Sequence, residues 1–343
     1  MWRQVSELEH DSSAVPAADE PVRANETTSR PGRTAHVLVA VLVGVALPAV
    51  LVGVLIGEFA AYAMLVGVLL GGVGSKLGGT HRMAMLAPAI GVAAALGVYT
   101  AYDWWWAVLL ASTGLLTGAG IGFGWLAPLL MIPYAATFVS PATSARDALI
   151  YGVVVAIGTL YGIVIARRFA APEVVDGQRL PLPVAAMVAF VSAAILGGAA
   201  SIGVALGWTE PYWVAEPVLI LVLYILMGKR ERIRGKAIGT SLGVAAAIPV
   251  ALADPPAWVL TVVGTVVFVL ALTQAKKYWL MYGLYTFSLV LLLSAPGQVG
   301  IEATERVVQI LLGVGLLVVG LFVMHAFGSW LARRHPQPEL APT

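Results

Sequence analysis

The chain has 343 residues, of which 59% are hydrophobic and 11% are charged, with a mean hydropathy of +0.90 and a formal net charge of +2. A soluble domain carries about a quarter charged residues, so the charges here are too few to cover a water-facing surface. The basic residues are scattered between apolar runs, which speaks against nucleic acid as a partner, and the absence of cysteine excludes disulfides and thiol chemistry.

Apolar stretches long enough to cross a membrane fill the first half of the chain after a polar start. Residues 1–33 are rich in Pro, Ser, Thr and Glu, a composition that predicts a disordered cytoplasmic tail. A membrane-spanning helix needs about 20 apolar residues. Residues 34–168 form a first predicted repeat of six such helices, at 35–56, 59–75, 83–102, 104–121, 123–140 and 146–166.

A polar stretch, 169–182, predicts a cytoplasmic linker before a second set of apolar stretches. Residues 183–332 form a second predicted repeat, with spans at 183–207, 211–228, 236–253, 256–273, 277–294 and 305–331. The cytoplasmic tail 333–343 follows. The sequence therefore predicts an all-α, multi-pass integral membrane protein with about twelve transmembrane helices, surrounded by the lipids of the cytoplasmic (inner) membrane.

The distribution of Lys and Arg predicts the orientation of these helices. With the N-terminus inside, 18 of the 20 basic residues fall in the tails or in loops on the inner side. Cytoplasmic loops carry an excess of Lys and Arg, so both termini are predicted to be cytoplasmic. Arg146 and Arg306 are the two basic residues placed outside.

The two halves repeat at an offset of 152 residues. Glu58 matches Glu210 and Arg82 matches Arg234 at this offset, and Ile90–Ala95 matches Leu242–Ala247. Farther along the offset drifts to 160, where Arg146 matches Arg306. Because each half holds an even number of spans, the halves are predicted to be parallel repeats related by a pseudo-two-fold axis along the membrane normal.

No catalytic signature occurs in the sequence. It contains no HExxH, GxSxG or P-loop motif, and its five histidines are spread over tails and span ends. We therefore expect that the protein is not an enzyme, has no catalytic residues, and requires neither a metal ion nor another cofactor.

Three motifs in the second half resemble the fusaric acid resistance (FUSC) and aromatic acid exporter superfamily. Pro211-Tyr212-Trp213 opens a span, Arg234 precedes Ile238-Gly239-Thr240, and Glu305-Arg306 opens the last span with Gly313 farther along it. The resemblance covers about 210–320, and it extends to about 58–166 only through the internal repeat. Many members carry soluble cytoplasmic domains, in place of which this chain has only its short linker and tail.

The resemblance implies efflux of organic anions, notably aromatic carboxylates. Related plant proteins form anion channels from two six-helix units with basic residues along the pore, and this chain looks like such a dimer fused into one polypeptide. A small organic anion is the expected substrate, and the oligomeric state is left open.

Five residues are candidates for the transport path. Arg146 and Arg306 could form an anion-selecting ring near the outer mouth, since Arg binds carboxylates bidentately; alternatively each pairs with its neighbour Asp147 or Glu305. Arg82 and Arg234 could collect anions in an inner vestibule, or serve topology alone. Glu216, inside a span, is a hypothetical proton carrier, with a water-facing or Arg-paired carboxylate as the alternative.

Three other functions stay open from the sequence. A passive anion channel would have the same architecture. A non-transporting membrane scaffold would tolerate neutral replacements of the repeated arginines. A lipid-modifying enzyme would require a convergent polar cluster, which the sequence does not reveal.

Overall fold

A computed structural model describes residues 44, 47–120, 124–125, 129–137, 141–169, 181–208, 210–226, 230–253, 255–274, 277–293 and 299–334. All of them lie in one of two contact units, Leu42–Thr343. No β-strand occurs within these ranges, which confirms the all-helical prediction for them. The predicted tail 1–33 and most of the linker 169–182 fall outside the described residues, and the division into domains stays a prediction.

Residues 47–55 are helical, and eleven further helices follow in the described ranges. They are α1 (Glu58–Gly78), α2 (Thr80–Thr100), α3 (Trp104–Gly120), α4 (Met131–Thr137), α5 (Ala145–Phe169), α6 (Leu182–Ala205), α7 (Tyr212–Leu226), α8 (Arg230–Ala253), α9 (Ala257–Thr273), α10 (Tyr278–Leu293) and α11 (Val299–Arg334). Most of these bounds agree with the predicted spans to within a few residues.

Five helical segments are long and apolar enough to cross a membrane, namely Glu58–Gly78, Thr80–Thr100, Ala145–Arg168, Leu182–Ala205 and Thr304–Phe327. Two shorter apolar segments are Ile238–Val250 and Tyr278–Leu292. A multi-pass membrane protein is thus supported by length and composition. The number of twelve spans and the cytoplasmic placement of both termini stay predictions.

The predicted span 123–140 differs from a continuous helix. Among its described residues, Leu129 and Met131–Thr137 (α4) are helical, and all seven residues of α4 are buried. Gly124 has a φ of 72°, a left-handed conformation that glycine adopts without strain. The described part of 123–140 therefore contains a turn at Gly124 and the buried helix α4.

Glycines allow the helices to approach one another closely, as their four-residue spacing predicts. A Cβ atom added to Gly71 on α1 would lie 2.9 Å from Thr159 Cα on α5, and one added to Gly114 on α3 would lie 2.8 Å from Ser192 O on α6. The order of these contacts along the paired helices shows that α1 and α5 run parallel and that α3 and α6 run antiparallel. Gly67 and Gly118 extend the same two contacts.

Helices at corresponding places in the two halves pack in the same pairs. α1 contacts α5 and α2, while α7 contacts α11 and α8. Likewise α2 contacts α5 and α4, while α8 contacts α11 and α10, and the α3–α4 contact corresponds to α9–α10. The halves also touch, because α3 packs on α6 and α4 packs on α7.

Candidate functional site

A buried arginine joins α11 to the segment that leads into α7. Arg306 Nη2 donates a hydrogen bond of 2.9 Å to Glu210 Oε2, and the Arg306 side chain is 4% exposed. Trp213 Nε1 donates to the same Glu210 oxygen at 2.8 Å, and the Arg306 guanidinium lies 4.8 Å from the centre of the Trp213 ring. Arg306 is thus held by a carboxylate at one side and by an aromatic face at another.

Arg146, the predicted counterpart of Arg306, has different surroundings. Arg146 and Glu58 are both exposed, and no ion pair joins these two described residues. Asp147 instead accepts hydrogen bonds from Thr143 Oγ1 at 2.6 Å and from Ser144 Oγ at 2.7 Å, which places a polar turn at the start of α5. Arg306 is therefore buried beside a carboxylate and an aromatic ring, whereas Arg146 is exposed.

A second buried ion pair joins α7 to α8. Lys236 Nζ donates a hydrogen bond of 2.9 Å to Glu216 Oε1, and the two side chains are 7% and 8% exposed. Glu216, the predicted proton carrier, is therefore buried as expected inside a helix, and its partner is a lysine. Pairing offsets the large cost of removing either charge from water.

The position of Lys236 depends on close packing of α8 against α10. The added Cβ of Gly235 would lie 2.9 Å from Tyr278 Cβ, and that of Gly239 would lie 2.9 Å from Gly283 N. This approach brings Lys236 Nζ to 5.5 Å from the centre of the Tyr282 ring. One turn farther along both helices, the hydroxyls of Thr286 and Thr240 are 3.4 Å apart. Polar groups from α7, α8 and α10 thus converge around the lysine.

Two tyrosines of the first half lie beside aromatic neighbours. The ring centre of Tyr62 on α1 lies 6.5 Å from that of Tyr151 on α5. The ring centre of Tyr102, in the turn between α2 and α3, lies 6.0 Å from that of Trp106. Burial, and then the Glu210 charge, raise the pKa of Tyr102 above its ordinary value, so its hydroxyl stays protonated and able to donate.

The other predicted pair, Arg82 and Arg234, is described only in part. Arg82 is half-buried, donates a hydrogen bond of 3.0 Å to Gly124 O, and lies 5.5 Å from the centre of the Trp125 ring. Arg82 therefore holds the segment that follows α3. The side chain of Arg234 lies outside the described part of the chain.

Two apolar pockets are lined by residues of neither ion pair. One, of about 340 Å³, is open and is lined by residues of α8, α9 and α10 such as Val250, Leu260 and Leu291. The other, of about 270 Å³, is lined by residues including Leu242, Trp279 and Phe287. Neither offers a charged group to an anion. In the described ranges no group of three or more His, Asp or Glu residues is placed to hold a metal ion.

Two residues in this region were not singled out by the sequence. Lys236 ends a run of basic residues and was therefore assigned to an inner loop. Gln309 is 1% exposed, one turn after Arg306 on α11, and its Oε1 has no hydrogen-bond partner in the described structure. A search for partners of a buried Glu216 could have found Lys236, whereas Gln309 carries no sequence signal beyond its polarity within an apolar span.

Comparison with known proteins gives one match. The family model described as "Fusaric acid resistance protein-like" matches residues 198–323, which include Glu210, Glu216, Lys236 and Arg306. No curated protein and no solved structure matches the chain. The resemblance inferred from Tyr212-Trp213, Ile238-Gly239-Thr240 and Glu305-Arg306 is thus confirmed, and residues 198–323 are similar to the fusaric acid resistance protein-like family.

Proposed function

We propose that the protein is a membrane transporter that exports organic anions, with aromatic carboxylates as the preferred class. The observation that carries this proposal is the burial of two cations, Arg306 and Lys236, within the helix bundle, each beside a carboxylate. Charged groups within membrane segments are costly, and they mark substrate or ion pathways by default. The family-model match over 198–323 supports a transport-related role for the same region.

The chemistry around Arg306 suits an aromatic carboxylate. A guanidinium binds a carboxylate through two parallel hydrogen bonds, and aromatic faces stack on an aromatic ring. Trp213 and Tyr212 lie beside each other with ring centres 5.3 Å apart, next to Arg306. Gln309, whose Oε1 has no described partner, adds a buried amide on the same helix face. A carboxylate that replaces Glu210 at Arg306 would therefore meet both charge and aromatic surface.

The proposed architecture is two parallel six-helix repeats with both termini in the cytoplasm. Matching contacts of α1, α2 and α5 with those of α7, α8 and α11 support this arrangement. Contacts of α3 with α6 and of α4 with α7 join the two halves, and the proposed path would run where the halves meet. Arg146 would add a second cation at the outer mouth, and Arg82 and Arg234 would attract anions at the inner one.

Transport by the full chain in proteoliposomes tests the proposal. Vesicles loaded with a panel of aromatic and aliphatic carboxylates should lose the aromatic ones faster than protein-free vesicles do. Arg306→Gln should reduce this flux at least tenfold. The variant loses the charge-assisted hydrogen bonds to the substrate carboxylate, each worth about 1.5–3 kcal/mol, and about 1.4 kcal/mol corresponds to a factor of ten. Arg167→Gln, at an exposed arginine outside the proposed path, is the matched control for a general loss of charge. The double replacement Arg146→Gln/Arg306→Gln should abolish transport.

The same measurement separates the alternatives. Currents whose reversal potential follows the anion gradient alone would identify a passive channel. Equal flux in the wild type and in folded, membrane-inserted Arg146→Gln/Arg306→Gln would contradict the proposed roles of both arginines. Absence of flux for the whole panel would contradict the transport function.

A further inference from the structure

Lys236 is placed as an anion-binding group, yet a carboxylate of the protein already occupies it. Its ammonium donates to Glu216 at 2.9 Å and faces the Tyr282 ring at 5.5 Å. Both charged side chains are more than nine-tenths buried. An incoming anion cannot share this lysine with an ionised Glu216 at small cost, because two carboxylates at one buried cation would leave an uncompensated negative charge.

We propose that Lys236 binds the carboxylate of the transported anion and that Glu216 must accept a proton before the anion can bind. This inference rests on the proposed function and deepens it by coupling one proton to one anion. The balanced exchange starts from the acid form of the substrate. Its proton passes to Glu216, and the substrate carboxylate takes the place of the Glu216 carboxylate beside the Lys236 ammonium.

Among the described side chains, Lys236 is the charged partner of Glu216. From α10, Tyr282 faces Lys236, and Tyr285 follows three residues later on the same helix. From α11, Arg306 hydrogen-bonds to Glu210. Helix α6 contains no ionisable side chain, and α4 contains only Tyr134. The side chains of residues 230–234 at the start of α8 lie outside the described part of the chain.

Hydroxyl groups beside the pair suit a bound carboxylate. Thr240 and Thr286 lie one helical turn beyond Lys236 and Tyr282, with their oxygens 3.4 Å apart. Each hydroxyl can turn to donate a hydrogen bond to an anion held by Lys236. The first half has no equivalent, since the offset of 152 places Met64 and Ala84 at the positions of Glu216 and Lys236. The site therefore belongs to the second half alone.

This coupling has a definite direction. Proton and anion bind together, so one monocarboxylate moves with one proton and carries no net charge across the membrane. A proton gradient directed inward would oppose export and favour uptake. Export would instead follow the concentration of substrate, and acidification of the side from which the anion binds would increase its affinity.

Isothermal titration of the purified full chain with benzoate tests this inference. Measurements in buffers of different ionisation enthalpy give the number of protons taken up for each benzoate bound. The wild type should take up close to one proton for each benzoate wherever Glu216 is ionised before benzoate binds, and under those conditions its Kd should rise about tenfold for each pH unit, by linkage. Glu216→Gln should bind benzoate with no proton uptake and with a Kd independent of pH. Lys236→Gln should lose the benzoate binding that is accompanied by proton uptake.

Matched variants keep the test decisive. Glu58→Gln neutralises an exposed carboxylate that belongs to neither buried pair, and it should retain the proton uptake of the wild type. If Glu216→Gln is not recovered folded, Glu216→Asp shortens the reach of the carboxylate toward Lys236 and should bind benzoate more tightly than the wild type does at the same pH.

Each result supports or overturns a separate statement. Benzoate binding by the wild type without proton uptake would overturn the coupling and leave anion transport standing. Proton uptake that persists in Glu216→Gln would do the same. A wild type that neither binds nor transports any carboxylate of the panel would overturn the proposed function together with this inference.

Discussion

Arg306 and Glu210 are joined by a 2.9 Å hydrogen bond although 96 residues separate them in the chain. The bond ties the start of α11 to the start of α7, two helices that run parallel and pack through Gly313 and Val214. Trp213 hydrogen-bonds to the same carboxylate, so the ends of both helices share one polar centre.

Arg306→Gln should destabilise the protein more than Arg146→Gln does. The first change removes a buried charge-assisted hydrogen bond, worth about 1.5–3 kcal/mol, whereas the second changes an exposed side chain. Thermal unfolding in detergent, followed by loss of monodisperse protein, measures both. Equal unfolding temperatures for the two variants would contradict a structural contribution from this bond.

Gly71→Ala should be destabilising, and its neighbour Gly72→Ala should be nearly neutral. A Cβ at residue 71 would lie 2.8 Å from Thr159 C, which is backbone and cannot swing away, whereas the nearest atom to a Cβ at residue 72 is Gly162 O at 4.0 Å. Overpacking of this kind costs about 1–3 kcal/mol. The two unfolding temperatures provide the comparison, and a Gly72→Ala variant that is the less stable of the two would refute the α1–α5 packing.

Trp106→Phe should weaken the contact that holds α4 in place. Trp106 is fully buried, and its Nε1 donates a hydrogen bond of 2.8 Å to Ala136 O. Loss of this donor leaves a buried carbonyl without its partner and should cost about 1–3 kcal/mol. Trp105, which is 68% exposed, supplies the control Trp105→Phe. Cleavage by an added protease under native conditions should increase in the first variant only.

A double-mutant cycle should reveal strong coupling between Glu216 and Lys236. Removal of one member of a buried ion pair strands the other charge and costs about 3–5 kcal/mol, while removal of both is much less harmful. Glu216→Gln and Lys236→Met should therefore each lower the unfolding temperature, and the double variant should recover most of the loss. Additive losses would show that the two residues do not interact.

The positions of most helices could be predicted because each requires only a long apolar stretch of its own sequence. The predicted span 59–75 lies within α1. The predicted span 256–273 differs by one residue from α9, which is Ala257–Thr273. The turn at Gly124 was harder to predict. The stretch 123–140 is apolar enough for a span, and the turn depends on the left-handed backbone conformation of Gly124.

Two residues of the candidate site could be predicted from the sequence, but their ion-pair partners could not. Arg306 and Glu216 were singled out because each violates a membrane rule, and the structure buries both. Their partners Glu210 and Lys236 come from other parts of the chain, and such tertiary contacts leave no mark in local sequence. Lys236 was hidden among neighbouring basic residues, where the charge-count rule explains any lysine equally well.

The Glu216–Lys236 pair also bears on how the chain enters the membrane. A single charge costs about 2.5–3.5 kcal/mol at the centre of an inserted helix and less toward its ends, whereas a paired hairpin presents a neutral unit to the lipid. Because α7 and α8 are consecutive, the partner of Glu216 emerges from the ribosome only about twenty residues after it. Lateral release of the two helices as one hairpin, after the ion pair has formed, would spare the nascent chain both penalties.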